Sequence, residues 1–276
     1  MTHVSRRPEV EAALNYLAPI AERPRTYTFE APPGSPQTNV VSEPHRVRIR
    51  DGRENGDSFG LDSHGFTLLR QPTAVSDFDD EAAVRTTYYA EADRLLKETT
   101  GAGRVFIFDH TIRRHIPGAK DYEDGPRQPA TRVHVDHTAR SGPQRVRDLL
   151  PEDAEQLLRG RVQVINLWRP IRHPVYDAPL AVCDATTVQP DELVPSDLVY
   201  PHRIGETYNV RFGESHRWYY VPEMQPGEIL LLKCTDSRAD VPARFTPHSA
   251  FLDETAHPNA PRRESIELRA LVFHPA

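Results

Sequence analysis

From Arg104 onward the chain is a succession of short alternating segments, and this limits the fold more than any other feature. The segments are residues 104–108, 131–138, 161–168, 180–188, 207–212, 218–221, 228–233, 244–251 and 265–273. Each reads as a strand, and turns containing Gly, Pro or Asp separate many of them. A parallel α/β sheet needs a crossover helix between successive strands. Here only residues 143–160, carrying Leu149, Leu150, Leu157 and Leu158, have helical character. The pattern predicts a mainly β barrel or sandwich with flanking helices.

Upstream, residues 1–75 read as an extended, Pro-rich lead-in. Val10, Leu14, Leu17 and Ile20 fall at helical spacing and predict a short helix over 9–20. Residues 25–30 and 46–50 alternate as strands do, and 32–36 and 52–60 are loops. The clearest helix is 76–100. Ser76 or Asp77 can cap it, and Asp79, Asp80 and Glu81 suit its first turn. Val84, Tyr88, Ala92, Leu95 and Leu96 form its apolar stripe, and Gly101 stops it. Neither loop separates two cores. One domain over 1–276 is therefore expected, with 1–100 as an extension carrying strands and a packing helix, and 101–276 as the β core.

Composition removes several functions. A formal net charge of −6 lacks the basic excess of a nucleic-acid binder. Cys183 and Cys234 are the only cysteines, too few for a disulfide framework or a Cys-based zinc site. Residues 1–7 lack the apolar core of a signal peptide, and no apolar run reaches membrane-spanning length. A cytoplasmic protein with no membrane or nucleic-acid partner is expected. Of 34 basic residues only Lys97, Lys120 and Lys233 are lysine, so planar carboxylate-binding guanidiniums are plentiful.

Within the strand pattern one constellation carries chemistry. His134 and Asp136 are two residues apart, so in a strand both project from one face. His248, far downstream, can complete a set of two histidines and one carboxylate, a donor set that leaves metal positions open. In a chain with 13 His, H-x-D alone is weak, and a packed strand histidine explains His134 as well. Arg263 and Ser265, beginning fifteen residues after His248, add a guanidinium and a hydroxyl on one face, fit to grip a carboxylate. Arg262 and Arg269 are alternative guanidiniums. Arg132 and Thr138 share the strand face of His134 and Asp136, and Asn166 shares a face with Trp168. Each is a lesser candidate for orienting cosubstrate or substrate, against barrel packing as the plainer role. Arg113, read in a polar loop with Arg114 and His115, can meet an acidic substrate or belong to a lid. His137 points to the opposite face from His134.

The order H-x-D, distal His, Arg-x-Ser resembles the 2-oxoglutarate/Fe(II)-dependent oxygenase superfamily. Further motifs are R-V-H-V-D-H-T (132–138), N-L-W-R-P (166–170), P-L-A-V-C-D (179–184), W-Y-Y-V-P-E-M (218–224), E-I-L-L-L-K-C-T-D-S (228–237), H-S-A-F (248–251) and R-E-S-I-E-L-R-A-L-V-F (263–273). They resemble the hydroxylase/desaturase family that includes the cephem 7α-hydroxylase component, fungal gibberellin-desaturase-like proteins and fungal meroterpenoid oxygenases. The likeness covers roughly residues 100–276 well and the first hundred loosely. It implies a double-stranded β-helix (jelly-roll, cupin-like) core. It implies one Fe(II) on His134, Asp136 and His248, and 2-oxoglutarate on Arg263 and Ser265, with O2 as oxidant. The implied reaction oxidises a C–H bond of a small-molecule substrate, by hydroxylation or desaturation, in secondary metabolism, with release of succinate and CO2. Epoxidation and endoperoxide formation use the same triad. Related halogenases carry a small residue at the carboxylate position, so Asp136 disfavours halogenation. The rivals are a metal-dependent cupin-type enzyme that uses no 2-oxoglutarate and a non-catalytic β-helix binding module. A monomer or homodimer is expected.

Overall fold

The computed structural model describes residues 9–54, 58–119 and 127–275. Residues 1–7, the middle of the 52–60 loop and Lys120, all read from sequence above, lie outside the described residues. Among the described residues fourteen strands follow in chain order. They are β1 (Glu9–Leu17), β2 (Arg25–Tyr27), β3 (Ser42–Asp51), β4 (Phe66–Arg70), β5 (Arg104–Arg114), β6 (His134–Val135) and β7 (Val162–Pro170). Then come β8 (Leu180–Cys183), β9 (Leu193–Val199), β10 (Ile204–Val210), β11 (Trp218–Tyr220), β12 (Glu228–Asp236), β13 (His248–Ala250) and β14 (Glu264–Phe273). They form a nine-stranded sheet, β1-β3-β11-β8-β13-β6-β10-β9-β2, and a five-stranded sheet, β4-β12-β7-β14-β5. This is a double-stranded β-helix, as the alternating pattern and the resemblance led one to expect.

The two sheets face each other across a core in which Val135, Val182 and Tyr219 of the larger sheet meet Val164, Trp168, Leu230, Leu232 and Leu271 of the smaller. The other face of the smaller sheet packs Ile165, Leu167, Leu231, Ile266 and Leu268 against Val84, Tyr88, Ala92, Leu95 and Leu96. β7 and β12 are consequently buried at every position, which explains their near-continuous apolar runs. The helix read over 76–100 begins at Glu81, with its predicted stripe buried. It runs as α1 (Glu81–Ala83), a π-helical turn (Val84–Tyr88) and α2 (Tyr89–Thr100). Its cap is Asp80, whose carboxylate accepts from the Ala82 and Ala83 amides at 3.0 and 3.1 Å, rather than Ser76 or Asp77. Gly101 ends it at φ 71°. The helical stretch read over 143–160 is α3 (Ser141–Leu149), which starts two residues earlier, and α4 (Ala154–Leu157).

The segment 9–20 is a strand, not a helix. Val10, Ala12, Leu14 and Tyr16 alternate inward along β1, and its backbone pairs with β3 from Glu9↔Arg50 to Leu17↔Ser42. Val10 and Leu14 fit both the helical spacing and the period-two pattern, and a sheet partner decided between them. The larger sheet curls so that β1 packs over Ala181, Cys183, Trp218 and Phe251. There Asn15 accepts from the Val133 amide and donates to Thr131 O, bracing the chain just before His134. β4 and β9 had not been anticipated from the sequence.

Candidate metal centre

β6 lies between β13 and β10, and His134 is the direct register partner of His248. Cross-strand partners sit about 5 Å apart, which is how two histidines remote in sequence arrive side by side. Their ring centroids are 4.4 Å apart. One local device sets both imidazoles. Nδ1 of His134 bonds Arg132 O at 2.7 Å, and Nδ1 of His248 bonds Thr246 O at 3.0 Å. A carbonyl only accepts, so both Nδ1 atoms carry the proton and both Nε2 atoms present a lone pair. Nε2 of His248 is buried and without a partner among the described residues. Burial, then the neighbouring His134, lower the His248 pKa and favour the neutral imidazole.

Asp136 lies in the bend after β6. Its Oδ1 is 3.4 Å from His134 Nε2 and 4.0 Å from His248 Nε2. One donor atom from each of the three lies within 4.8 Å of the others. Donors bound at about 2.1 Å stand roughly 3 Å apart around an ion, so a small contraction closes the set. Two imidazole nitrogens and one carboxylate oxygen on one side match the facial donor set of non-haem Fe(II).

The second oxygen of Asp136 is already engaged. Oδ2 accepts from Asn166 Nδ2 at 2.8 Å and Arg269 Nε at 3.1 Å. The Asn166 amide nitrogen also donates to Glu267 at 2.8 Å, so two carboxylates fix its orientation. Arg269 further donates to Glu267 at 2.8 Å, Asp109 at 3.2 Å and Thr111 at 3.1 Å. Burial opposes the charge on Asp136, yet Arg269 and the two histidines hold its carboxyl well below the usual range. Glu267 is held low against burial mainly by Arg269. Cys234 is close by, but burial, with Asp136 and Glu267, pushes its thiol well up and keeps it protonated.

Arg263 stands just before β14 and is buried. Its Nε donates to Ser265 Oγ at 3.0 Å, its Nη1 to Ala178 O at 2.9 Å and its backbone amide to Asp177 Oδ1 at 2.9 Å. The guanidinium lies 4.9 Å from the Trp168 ring centroid. Burial first, and the nearby Arg113 second, push its pKa down to about 9. Among the described residues no acid pairs with this side chain, so it is a buried cation lacking an anion. A groove of about 1340 Å3, lined by Arg53, Tyr176, Glu228 and His257 among others, lies apart from the triad residues.

A family model described as an oxidoreductase/YMDC permease-like domain matches residues 14–273. The hydroxylase/desaturase efuI of Hormonema carpetanum is 35% identical over 99% of this chain and 98% of its own. The Fe(II)/2-oxoglutarate-dependent dioxygenase nvfI of Aspergillus novofumigatus is 37% identical over 90% of each. A solved structure of the iron and α-ketoglutarate-dependent endoperoxidase NvfI superposes with a TM-score of 0.88 at 34% identity, covering 98% of this chain and all of that one. The chain belongs to the Fe(II)/2-oxoglutarate-dependent oxygenases.

The oxygenase uses Fe(II), 2-oxoglutarate and O2, and its relatives act on small molecules. No helix among its described residues is long and apolar enough to cross a membrane. Its fold brings His134, Asp136 and His248 together, and separately Arg263, Ser265 and Trp168. Asn166 reaches Asp136 itself. Arg113 lies on β5, not in a loop, opposite Ser265, and donates to Gln128 O at 2.6 Å. Thr138 is not brought to the triad face. The chain leaves the strand after Val135, and the Thr138 hydroxyl bonds Glu206 at 2.5 Å and accepts from the Arg140 and Ser141 amides at the start of α3. Arg132 contributes its carbonyl to His134. Arg262 is half-exposed beside Asp177, and Arg269 serves Asp136 instead of the Arg263 pocket. Sequence reasoning missed Glu267, Asp109 and Asp177. Glu267 continues the alternation Arg263, Ser265, Arg269 and was within reach of that pattern. Asp109 was not, because a bulge opposite Arg269 and Ala270 leaves Phe108 unpaired and resets the face of β5.

Proposed function

We propose that His134, Asp136 and His248 hold the iron, and that Arg263 with Ser265 takes the distal carboxylate of 2-oxoglutarate. The reaction is oxidation of a C–H bond of a small molecule, by hydroxylation or desaturation, in secondary metabolism. The observation that carries this reading is the orphaned Nε2 of His248, buried beside its register partner His134 with both rings locked in the same tautomer. Iron, 2-oxoglutarate and O2 together supply an oxidant able to take hydrogen from an unactivated C–H bond, with succinate and CO2 released.

The chain's own contribution is placement. Asn166 and Arg269 tie down one oxygen of Asp136, leaving the other for the ion. Arg263 offers a planar fork, which Trp168 supports from below and Asp177 pins at its backbone. One oxygenase domain over 1–276 is supported by the entry of β1, β3 and β4 into the two sheets. A reducing cytoplasm suits Cys183 and Cys234, both buried and unpaired. The acidic net charge suits a partner that is neither nucleic acid nor membrane, with the chain as a monomer or homodimer.

The test combines Mn(II) titration with succinate release. His248→Ala is expected to keep its circular dichroism and lose Mn(II) binding. Arg263→Leu is expected to keep Mn(II) and to need roughly a hundredfold more 2-oxoglutarate, as loss of a buried charge-assisted contact implies. Unchanged 2-oxoglutarate demand in folded Arg263→Leu would favour a cupin-type enzyme that does without it.

A further inference from the structure

The bulge that turns Phe108 inward also gives it a partner from α3. The guanidinium of Arg145 lies 4.8 Å from the Phe108 ring centroid. Phe108 meets the His137 ring nearly at right angles at 6.4 Å, and His137 directly follows Asp136. Through these two rings Arg145 is linked to the chain segment that carries Asp136.

Arg145 is half-buried, yet among the described residues no carboxylate pairs with it and no acceptor bonds it. The acids nearest to it are occupied elsewhere: Asp109 accepts from Arg269, and Asp148 from Gln144 at 2.8 Å. Arg203, from the turn between β9 and β10, is a second cation close enough to repel it, and stacks 3.9 Å over the Tyr200 ring. Tyr208 comes close to the start of α3, where its hydroxyl accepts from the Ala139 amide at 3.4 Å. Phe108, Tyr208 and Phe245 pack on the inner core, the last two with ring centroids 5.2 Å apart. Burial first, and Arg203 second, lower the Arg145 pKa, the response of a cation that lacks its anion.

We propose that Arg145, assisted by Arg203, binds a carboxylate of the substrate, whose apolar skeleton rests on Phe108, Tyr208 and Phe245. The substrate class is thus an apolar, ring-bearing or branched small acid. This builds on the reading of His134, Asp136 and His248 as the metal site, since the His137 ring that Phe108 meets follows directly on Asp136. The carboxylate bound here is not that of 2-oxoglutarate. Arg263 and Arg269 are six residues apart along β14, roughly 20 Å of extended chain, and Phe108 lies opposite the Arg269 end. Arg145 packs on Phe108, whereas Arg263 packs on Trp168 and Ser265 at the other end of β14, so the two guanidiniums do not share one carboxylate.

The test uses 1-naphthylacetate and its neutral amide, 1-naphthylacetamide, titrated calorimetrically into protein loaded with Mn(II) and 2-oxoglutarate. The acid is expected to bind at least about tenfold tighter than the amide, the margin of a charge-assisted contact. Arg145→Gln is expected to abolish that preference, Arg203→Gln to reduce it, and Arg145→Lys to fall between. Equal affinities, no binding of the acid, a preference that survives Arg145→Gln, or displacement of the acid by 2-oxoglutarate would each overturn the proposal. Mn(II) and 2-oxoglutarate titrations of the wild type are run first. Failure there sinks the metal reading itself, which keeps the two failures apart.

Discussion

Asp136 has one oxygen committed before any ion arrives. Asn166 and Arg269 hold Oδ2, and the same guanidinium neutralises Glu267 beside it. Arg269→Leu would leave two buried carboxylates adjacent with one amide between them. Breaking one partner out of a buried charged cluster costs about 3–5 kcal/mol, and loss of an orienting contact to a ligand costs about 10–100-fold in metal affinity. The expected result is a lower urea midpoint and weaker Mn(II) binding by electron paramagnetic resonance. Wild-type Mn(II) affinity in a folded Arg269→Leu protein would detach this network from the ion. The convergence of His134, Asp136 and His248 was legible because the spacing is local at one end and the chemistry is rare as a set. The supporting charges were less so. Glu267 followed from strand alternation, but Thr138 was misplaced because alternation was extended past Val135, where the strand ends.

Elements matter here mainly for how they aim those side chains. His248 is oriented by the carbonyl of Thr246, and Thr246 is packed against Gly65, whose carbonyl accepts from the Thr246 hydroxyl at 2.9 Å. Gly65 has φ +93°, and a Cβ there would stand 2.2 Å from Thr246 Oγ1. Gly65→Ala combines a backbone penalty of roughly 1–2 kcal/mol with a clash that only movement of Thr246 relieves. The expected outcome is a lower melting temperature together with weaker Mn(II) binding, since Thr246 carries the acceptor for His248 Nδ1. A destabilised variant with unchanged metal affinity would show that the ring is fixed by other packing. No sequence pattern marks this glycine, because its constraint comes from a residue far along the chain. β1 failed for the same kind of reason. Its Val10 and Leu14 satisfied two periods at once, and only pairing with β3 chose between them. The helix at 81–100, by contrast, carried a stripe, acids at its start and a stopping glycine, all of them local, and these signals held.

At the scale of the whole molecule, the first hundred residues are tied to the β core by charge as well as by strand pairing. Asp62, ahead of β4, accepts from Lys233 Nζ at 2.8 Å and Arg161 at 2.5 Å. Asp236, fully buried, accepts from the same two cations at 2.7 and 2.6 Å. Burial raises both carboxyls, but Arg161 and Lys233 outweigh it. Asp62 is lowered to about 2, and Asp236 is lowered as well. A carboxyl whose folded pKa lies below its unfolded value, about 3.9, contributes stability that is fully present above that value. The contribution is lost as pH falls towards the folded pKa. Stability is therefore expected to fall between about pH 4 and pH 2, in step with protonation of this pair. Asp236→Asn leaves Lys233, itself fully buried, with only half-exposed Asp62. At neutral pH that costs roughly 3–5 kcal/mol, and with the buried carboxylate gone the acid limb flattens. Urea midpoints of both proteins at pH 7, pH 3 and pH 2 measure the two effects together. Parallel acid limbs would place the pH dependence in other carboxylates, whereas convergence of the two proteins near pH 2 is what a charge cluster joining the early chain to the core requires.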